Sequence, residues 1–237
     1  MSWQERTEIL LGNEKLLKLK QSHILVTGLG GVGSYAVEQL ARAGVGSLTI
    51  VDGDKVQASN RNRQLIALSS TEGLRKADVV ANRLMDINPE LNLTVYDEFL
   101  KDERIPELLE VNYDYVIDAI DTLSPKVFLI VNAYQRNLPL ISSMGAGGKL
   151  DPSLVRVSDI SKSYNCNLAR MVRKRLTKFG IKKGFKVVYS PEEVDKNVII
   201  PTEGEQNKKT TVGTISYLPA IFGLYLASEV IRDLLDR

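Results

Sequence analysis

A doubly wound, mainly parallel α/β sheet is the fold this chain predicts, and three observations predict it. Short apolar runs recur between segments whose apolar residues have helical spacing. A G-x-G-x-x-G turn, Gly28, Gly30 and Gly33, joins the first apolar run to the first such segment. An acid, Asp52, ends the second run, 19 residues after Gly33. Together they make a Rossmann-like sheet with a less regular C-terminal part the expected architecture.

Taken in order, Trp3–Lys20 reads as one or two helices, with Gly12-Asn13 as a break. Ile24-Leu25-Val26 is a buried strand, and Val32–Ala43 a helix. Leu48–Val51 is the second strand. Asp52–Ala67 is polar and rich in turn residues before becoming helical. Leu74–Ile87 is helical and stops at Asn88-Pro89. Leu93–Tyr96 alternates as a strand, Glu103–Glu110 is a short helix, and Tyr115–Ile120 is a buried strand. Ser124-Pro125 has the form of a serine cap followed by a first-turn proline. Pro139–Ser143 and Val155–Ile160 are further strands, with the glycine-rich Met144–Asp151 between them. Asn167–Phe179 is a basic helix, Val187–Tyr189 and Val198–Ile200 are short strands, and Glu203–Thr214 is a polar loop suited to a flexible cover. Tyr217–Ile231 is apolar but is interrupted by Pro219 and Glu229. It is shorter than the ~20 residues a membrane-spanning helix needs, so it reads as a buried or dimer-packing helix.

At 237 residues the chain can bury a substantial core. Its one cysteine, Cys166, excludes an internal disulfide and a four-thiolate zinc site. The polar start carries no signal-peptide pattern, which suits a cytoplasmic protein. The net charge of +2 hides an asymmetry. Nine Lys and Arg, and no acid, lie between Lys162 and Lys186, so the rest of the chain stands at −7. Such a segment suggests a polyanionic partner, and Arg170, Arg173, Lys174 and Lys178 are the expected phosphate contacts. A solvated helix face is the plainer alternative.

The glycine turn admits a phosphate to backbone amides, and Asp52 can hold ribose hydroxyls. Close helix–strand packing alone would also call for those glycines. A dehydrogenase would carry the same turn, so other residues decide. Arg63 lies just beyond Asp52, and Lys76 starts the next helix. Asp118 and Asp121 end a strand at the ligand-binding edge of such a sheet. Cations and a carboxylate suited to Mg²⁺ favour ATP chemistry over hydride transfer. Each has a bland reading: surface cations, a turn at Asn60, a helix cap at Asp121. His23 opens its strand at the opposite end of the sheet and is a core or edge residue. Cys166 could be a nucleophile beside cations or an ordinary buried thiol.

Several stretches resemble the ubiquitin-activating-enzyme-like adenylyltransferases. They are Gly28–Ser34, Ala43–Asp54, Asn60–Gln64 (N-R-N-R-Q), Gly73–Lys76, Ile87–Glu90 and Asp118–Thr122. Tyr115–Asp121, the S-P-K after it, and Gly145–Pro152 resemble the tRNA threonylcarbamoyladenosine dehydratase branch of that superfamily. The resemblance implies an enzyme that activates a carboxylate with ATP and Mg²⁺. It implies that Gly28, Gly30, Gly31 and Gly33 pack against the nucleotide and that Asp52 binds the ribose. Asn60, Arg63 and Lys76 would hold phosphates and Asp121 would ligate Mg²⁺, with Asp54 and Asp118 in the same nucleotide-binding set. Arg6 would reach the ATP site of a partner subunit, making a homodimer. An adenylation domain would span 1–160, and 161–237 would carry the basic segment, loop and apolar helix, packed on the same domain. tRNA is the implied substrate, and sulfur-transfer proteins are further candidate partners. The alternative is activation of a ubiquitin-like sulfur carrier. Such enzymes usually carry two zinc-binding C-x-x-C pairs, and this chain has none.

Overall fold

The computed structural model describes residues 2–101, 103–201 and 210–236. Two N-terminal helices, α1 (Glu5–Leu11) and α2 (Asn13–Gln21), break at Gly12 and lead into β1 (His23–Thr27). There follow α3 (Gly33–Ala43), β2 (Ser47–Val51), α4 (Lys76–Ile87), β3 (Asn92–Tyr96), α5 (Arg104–Leu108), β4 (Tyr115–Asp118), α6 (Leu123–Gln135) and β5 (Leu140–Ser143). The C-terminal part adds β6 (Arg156–Asp159), α7 (Asn167–Leu176), β7 (Lys186–Tyr189), β8 (Ile199–Pro201), β9 (Thr210–Val212) and α8 (Tyr217–Leu235).

Seven strands form one sheet in the order β3-β2-β1-β4-β5-β7-β6, parallel except for the edge strand β6, which runs antiparallel to β7. The chain leaves β1 toward β2 on one side and later returns to β4 on the other. The tips of β1 and β4 therefore flank the crevice where open α/β sheets bind ligands.

The apolar runs are explained by burial on both faces. Ile24 and Val26 face one core, with Leu48, Ile50, Val37 and Leu40. Leu25 between them faces the other, with Val116, Ile105, Val127 and Val172. Helix α8 belongs to the first core through Leu218, Phe222, Leu226 and Val230. It approaches α3 so closely that a Cβ on Gly223 would come within 2.9 Å of the Tyr35 Cβ. No helix among the described residues is long and apolar enough to cross a membrane.

Three local expectations change. Helix α6 starts two residues earlier than the Ser124-Pro125 signature indicates. Its N-cap is Thr122, so serine and proline fall inside the first turn, where proline's missing N–H costs nothing. Between Asp52 and Ala67 the only helical element is one 3₁₀ turn, Ala58–Asn60. Side-chain bonds to backbone hold this stretch as turns, among them Gln57 N–H to Asn60 Oδ1 at 3.1 Å. Of the expected loop at 203–214, residues 202–209 lie outside the described residues, and Thr210–Val212 is strand β9, paired antiparallel with β8.

Candidate active site

The turn from β1 to α3 is shaped by what a side chain would strike. Gly28 has φ +84°, and a Cβ there would sit 2.7 Å from the Ala119 carbonyl oxygen. Gly33 leaves no room for a Cβ against the Gly28 carbonyl. Gly31 packs against Pro219 of α8 and the Arg63 backbone, at 3.1 and 3.3 Å from its Cβ position. The turn is thus wedged between the β4–α6 connection and the start of α8. Its shape brings backbone amides to the first turn of an 11-residue helix.

Asp52, at the tip of β2, closes this turn. Its Oδ2 accepts from the Leu29 amide at 2.6 Å and its Oδ1 from the Asp54 amide at 2.8 Å. Burial pushes the Asp52 carboxyl above the usual carboxylate range, while the Lys76 ammonium and these two amides oppose the rise. Lys76, the first residue of α4, is only 4% exposed, and its Nζ meets Asp54 Oδ2 at 2.8 Å. A buried ammonium is costly unless paired, and Asp54 supplies that pairing next to Asp52. Arg63 is half-buried over Gly31, with Nη1 donating to the Ser59 carbonyl at 3.0 Å and to Asn62 Oδ1 at 2.8 Å. Asn60 is buried and accepts from the Gln57 amide. The glycine turn, Asp52, Asp54, Asn60, Arg63 and Lys76 therefore come together around the β1 and β2 tips.

The two acids at the end of β4 and just beyond it part company. Asp121 is exposed beyond the strand tip. Asp118 is fully buried and turned inward. Its Oδ2 meets Lys126 Nζ at 2.6 Å and Ser142 Oγ at 2.5 Å, and its Oδ1 accepts from the Ile120 amide at 3.0 Å. Asp118 thus does not present a carboxylate to a ligand, contrary to its expected place in the nucleotide-binding set. Asp121 does not supply the α6 cap, which is Thr122. Among the described residues no cluster of three or more His, Cys, Asp or Glu could hold a metal. One exposed carboxylate fits Mg²⁺, which is usually shared between one or two carboxylates, waters and substrate phosphates. Arg6 stands exposed on α1, which packs on α2.

Sequence reasoning missed two residues. Gln64 is 9% exposed, lies alongside Gly30, and its Oε1 has no hydrogen-bond partner. Lys126 is the buried counter-ion of Asp118. Its signal was legible as one cation at the head of an apolar helical run, Val127–Val131.

The basic segment forms a second surface. Helix α7 buries Ala169, Val172 and Leu176 and exposes Arg170, Lys174 and Arg175, with Lys178 exposed just beyond. Tyr164 and Phe179 are exposed beside it. Arg173 departs from expectation. Its Nη1 donates to the Ser163 carbonyl at 2.8 Å, to Ser163 Oγ and to the Ile160 carbonyl, so it ties down the preceding 3₁₀ turn. Lys186 likewise is engaged, with Glu229 at 3.0 Å and Asp233 at 2.6 Å on α8. Cys166 is buried at the N-cap of α7, the ordinary-thiol reading. His23 is half-buried at the opposite end of β1, its Nε2 2.9 Å from Thr49 Oγ1.

The ThiF family model matches residues 4–237 of the chain. The chain is 41% identical to the tRNA threonylcarbamoyladenosine dehydratase of Bacillus subtilis (strain 168) over 237 residues, covering 97% of this chain and 93% of that one. It is 42% identical to the protein of the same name from Escherichia coli (strain K12) over 189 residues, covering 78% and 70%. Its fold matches the crystal structure of the E. coli tRNA N6-threonylcarbamoyladenosine dehydratase in complex with ATP, with a TM-score of 0.90, 36% identity, and coverage of 99% of this chain and 95% of that one.

Proposed function

Since the chain belongs to the ThiF family, we propose that it is an ATP-dependent dehydratase that cyclises threonylcarbamoyladenosine in tRNA. The observation that carries the reading is agreement over almost the whole chain with dehydratases of that name, one of them solved with ATP. The single cysteine and the lack of any C-x-x-C pair weigh against activation of a sulfur carrier.

The threonyl carboxylate attacks the α-phosphorus of ATP, the bond to pyrophosphate breaks, and an acyl-adenylate forms. The carbamoyl group of the same modified base then attacks the activated carbonyl, and AMP leaves with the carboxylate oxygen. The net loss from the base is one water, and no enzyme nucleophile is needed because both groups sit on one nucleotide. The protein's work is positioning and charge. Backbone amides of the glycine turn cradle phosphates, and Asp52 orients the ribose. Lys76 exchanges Asp54 for phosphate oxygens, and Arg63 with Asn60 covers the negative charge that grows toward pyrophosphate. Asp121 would hold Mg²⁺, which neutralises the same oxygens when bound. The site falls within 1–160, while 161–237 supplies the closing helix and the RNA-facing cations.

The test is to incubate the protein with tRNA, ATP and Mg²⁺ and analyse the nucleosides by mass spectrometry. Threonylcarbamoyladenosine should lose one water. An unchanged nucleoside, with adenylation of a Gly-Gly-tailed carrier instead, would replace this reading with the sulfur-carrier one.

The enzyme works as a homodimer in which Arg6 completes the partner's site. Support comes from α1 itself: it buries none of its residues, and Ile9 and Leu10 are 79% and 82% exposed, an apolar surface suited to cover by a second copy. Arg6→Ala and Asp121→Ala enzymes should each be inactive, and mixing them should restore activity through hybrids with one intact site. No recovery after demonstrated subunit exchange would remove Arg6 from the neighbour's site.

A further inference from the structure

Asp118 and Lys126 are both fully buried at the ligand-binding edge of the sheet, where apolar side chains of similar volume would fill the same space. Breaking such a pair is costly, yet replacing it whole by apolar residues is often neutral. Its presence therefore calls for a task other than stability.

Its bonds point to that task. Asp118 Oδ1 accepts from the Ile120 amide at 3.0 Å, which fixes the first bend of the connection leading to Asp121. The Ala119 amide donates to the Thr27 carbonyl at 2.9 Å, locking the same bend to the tip of β1. The Ala119–Ile120 peptide is also the surface against which Gly28 packs, its Cβ position 2.7 Å from Ala119 O and 3.1 Å from Ile120 N. From the other side, Lys126 Nζ donates to the Ser143 carbonyl at 2.8 Å and to Ser142 Oγ at 3.2 Å, joining the tip of β5 to the same group.

We infer that the Asp118–Lys126–Ser142 cluster is a positioning device for the adenylation step: it fixes the Ala119–Asp121 bend, and through it both the glycine turn and the Asp121 carboxylate. This rests on the adenylation reading above. Asp118 and Lys126 touch no substrate; they act through Ile120 and Gly28. Displacing a reacting group by about 1 Å costs up to ~10²-fold in rate, so a loosened bend lowers kcat without altering the basic surface that captures RNA.

Two uncharged versions of the pair separate this from packing. Asp118→Leu with Lys126→Met removes the charges and also the acceptor for the Ile120 amide. Asp118→Asn with Lys126→Met removes the charges but keeps that acceptor, and its amide can donate to Ser142. In tRNA-dependent ATP–pyrophosphate exchange, the Leu/Met enzyme should lose about tenfold or more in kcat, with unchanged tRNA affinity and melting temperature. The Asn/Met enzyme should recover most of that loss. Equal kcat in both, whether high or low, would overturn the inference. Should either fail to fold, Ser142→Ala carries the test, since it removes one donor to Asp118 and leaves the ion pair. A lower kcat at unchanged tRNA affinity supports the device, and an unchanged kcat overturns it. Exchange absent from the unaltered enzyme would instead refute adenylation itself.

Discussion

Asp121→Ala and Arg63→Ala each lower turnover by at least ~10²-fold, the loss expected when one preorganised electrostatic contact is removed from a transition state. Steady-state dehydration of tRNA nucleosides measures it, with ATP affinity measured separately. Arg63 is half-buried over Gly31, and its guanidinium donates to the Ser59 carbonyl and to Asn62 within the same turn, so its loss should leave the fold standing. Asp121 is exposed, and its removal disturbs no core. The defect should therefore lie in kcat, with the melting temperature unchanged. Cys166→Ser serves as the control. The thiol is buried behind Gly145, its Sγ 4.0 Å from that residue's Cβ position, and a direct acyl-adenylate route does not use it. If Cys166→Ser were dead while Asp121→Ala and Arg63→Ala turned over normally, a thioester mechanism would have to replace the one proposed.

Reversing Arg170, Lys174 and Lys178 to Glu weakens tRNA binding on the order of 10²-fold near physiological salt. It also flattens the salt dependence, by about one unit of slope for each phosphate the variant no longer grips. All three are exposed on the face of α7 and its extension opposite the buried Ala169–Val172–Leu176 stripe, so the helix keeps its packing. Arg173 is left out because its guanidinium holds the carbonyls of Ile160 and Ser163; changing it would test folding, not binding. ATP affinity should hardly move, since in the proposed site the nucleotide is held by the glycine turn and its own cations, away from α7. Titrations at several salt concentrations decide the matter. Unaltered tRNA affinity in the folded triple variant would return the basic face to the role of a solvated surface.

The strands and the glycine turn were legible because their signals are local. A strand buried on both faces must be apolar throughout, as Ile24–Val26 and Tyr115–Ile117 are, and a turn that abuts a neighbouring backbone admits only glycine at Gly28 and Gly33. Asp52 was legible by its distance along one strand–helix–strand unit. Asp118 and Asp121 were not separable. They lie three residues apart at and just beyond the end of one strand, and what turns Asp118 inward is Lys126 from the following helix and Ser142 from the next strand. Arg173 is the same case, one cation among many until Ser163 and Ile160 are brought beneath it. The α6 cap moved because Ser-Pro is equally at home inside a first turn. What escaped the sequence is the identity of partners that only tertiary packing supplies.

The wedge of Pro219 against Gly31 also bears on the order in which the molecule is made. The nucleotide turn is written near the start of the chain, yet one of its walls arrives with α8, and Asn62 is tied to the Thr214 carbonyl just before that helix at 2.9 Å. During synthesis the β1–α3 unit leaves the ribosome long before its cover does. Val37 and Leu40 of α3 share a core with Phe222 and Leu226, so that part of their cover also arrives with α8. The wall that Pro219 gives the glycine turn is thus the last side of that crevice to be made.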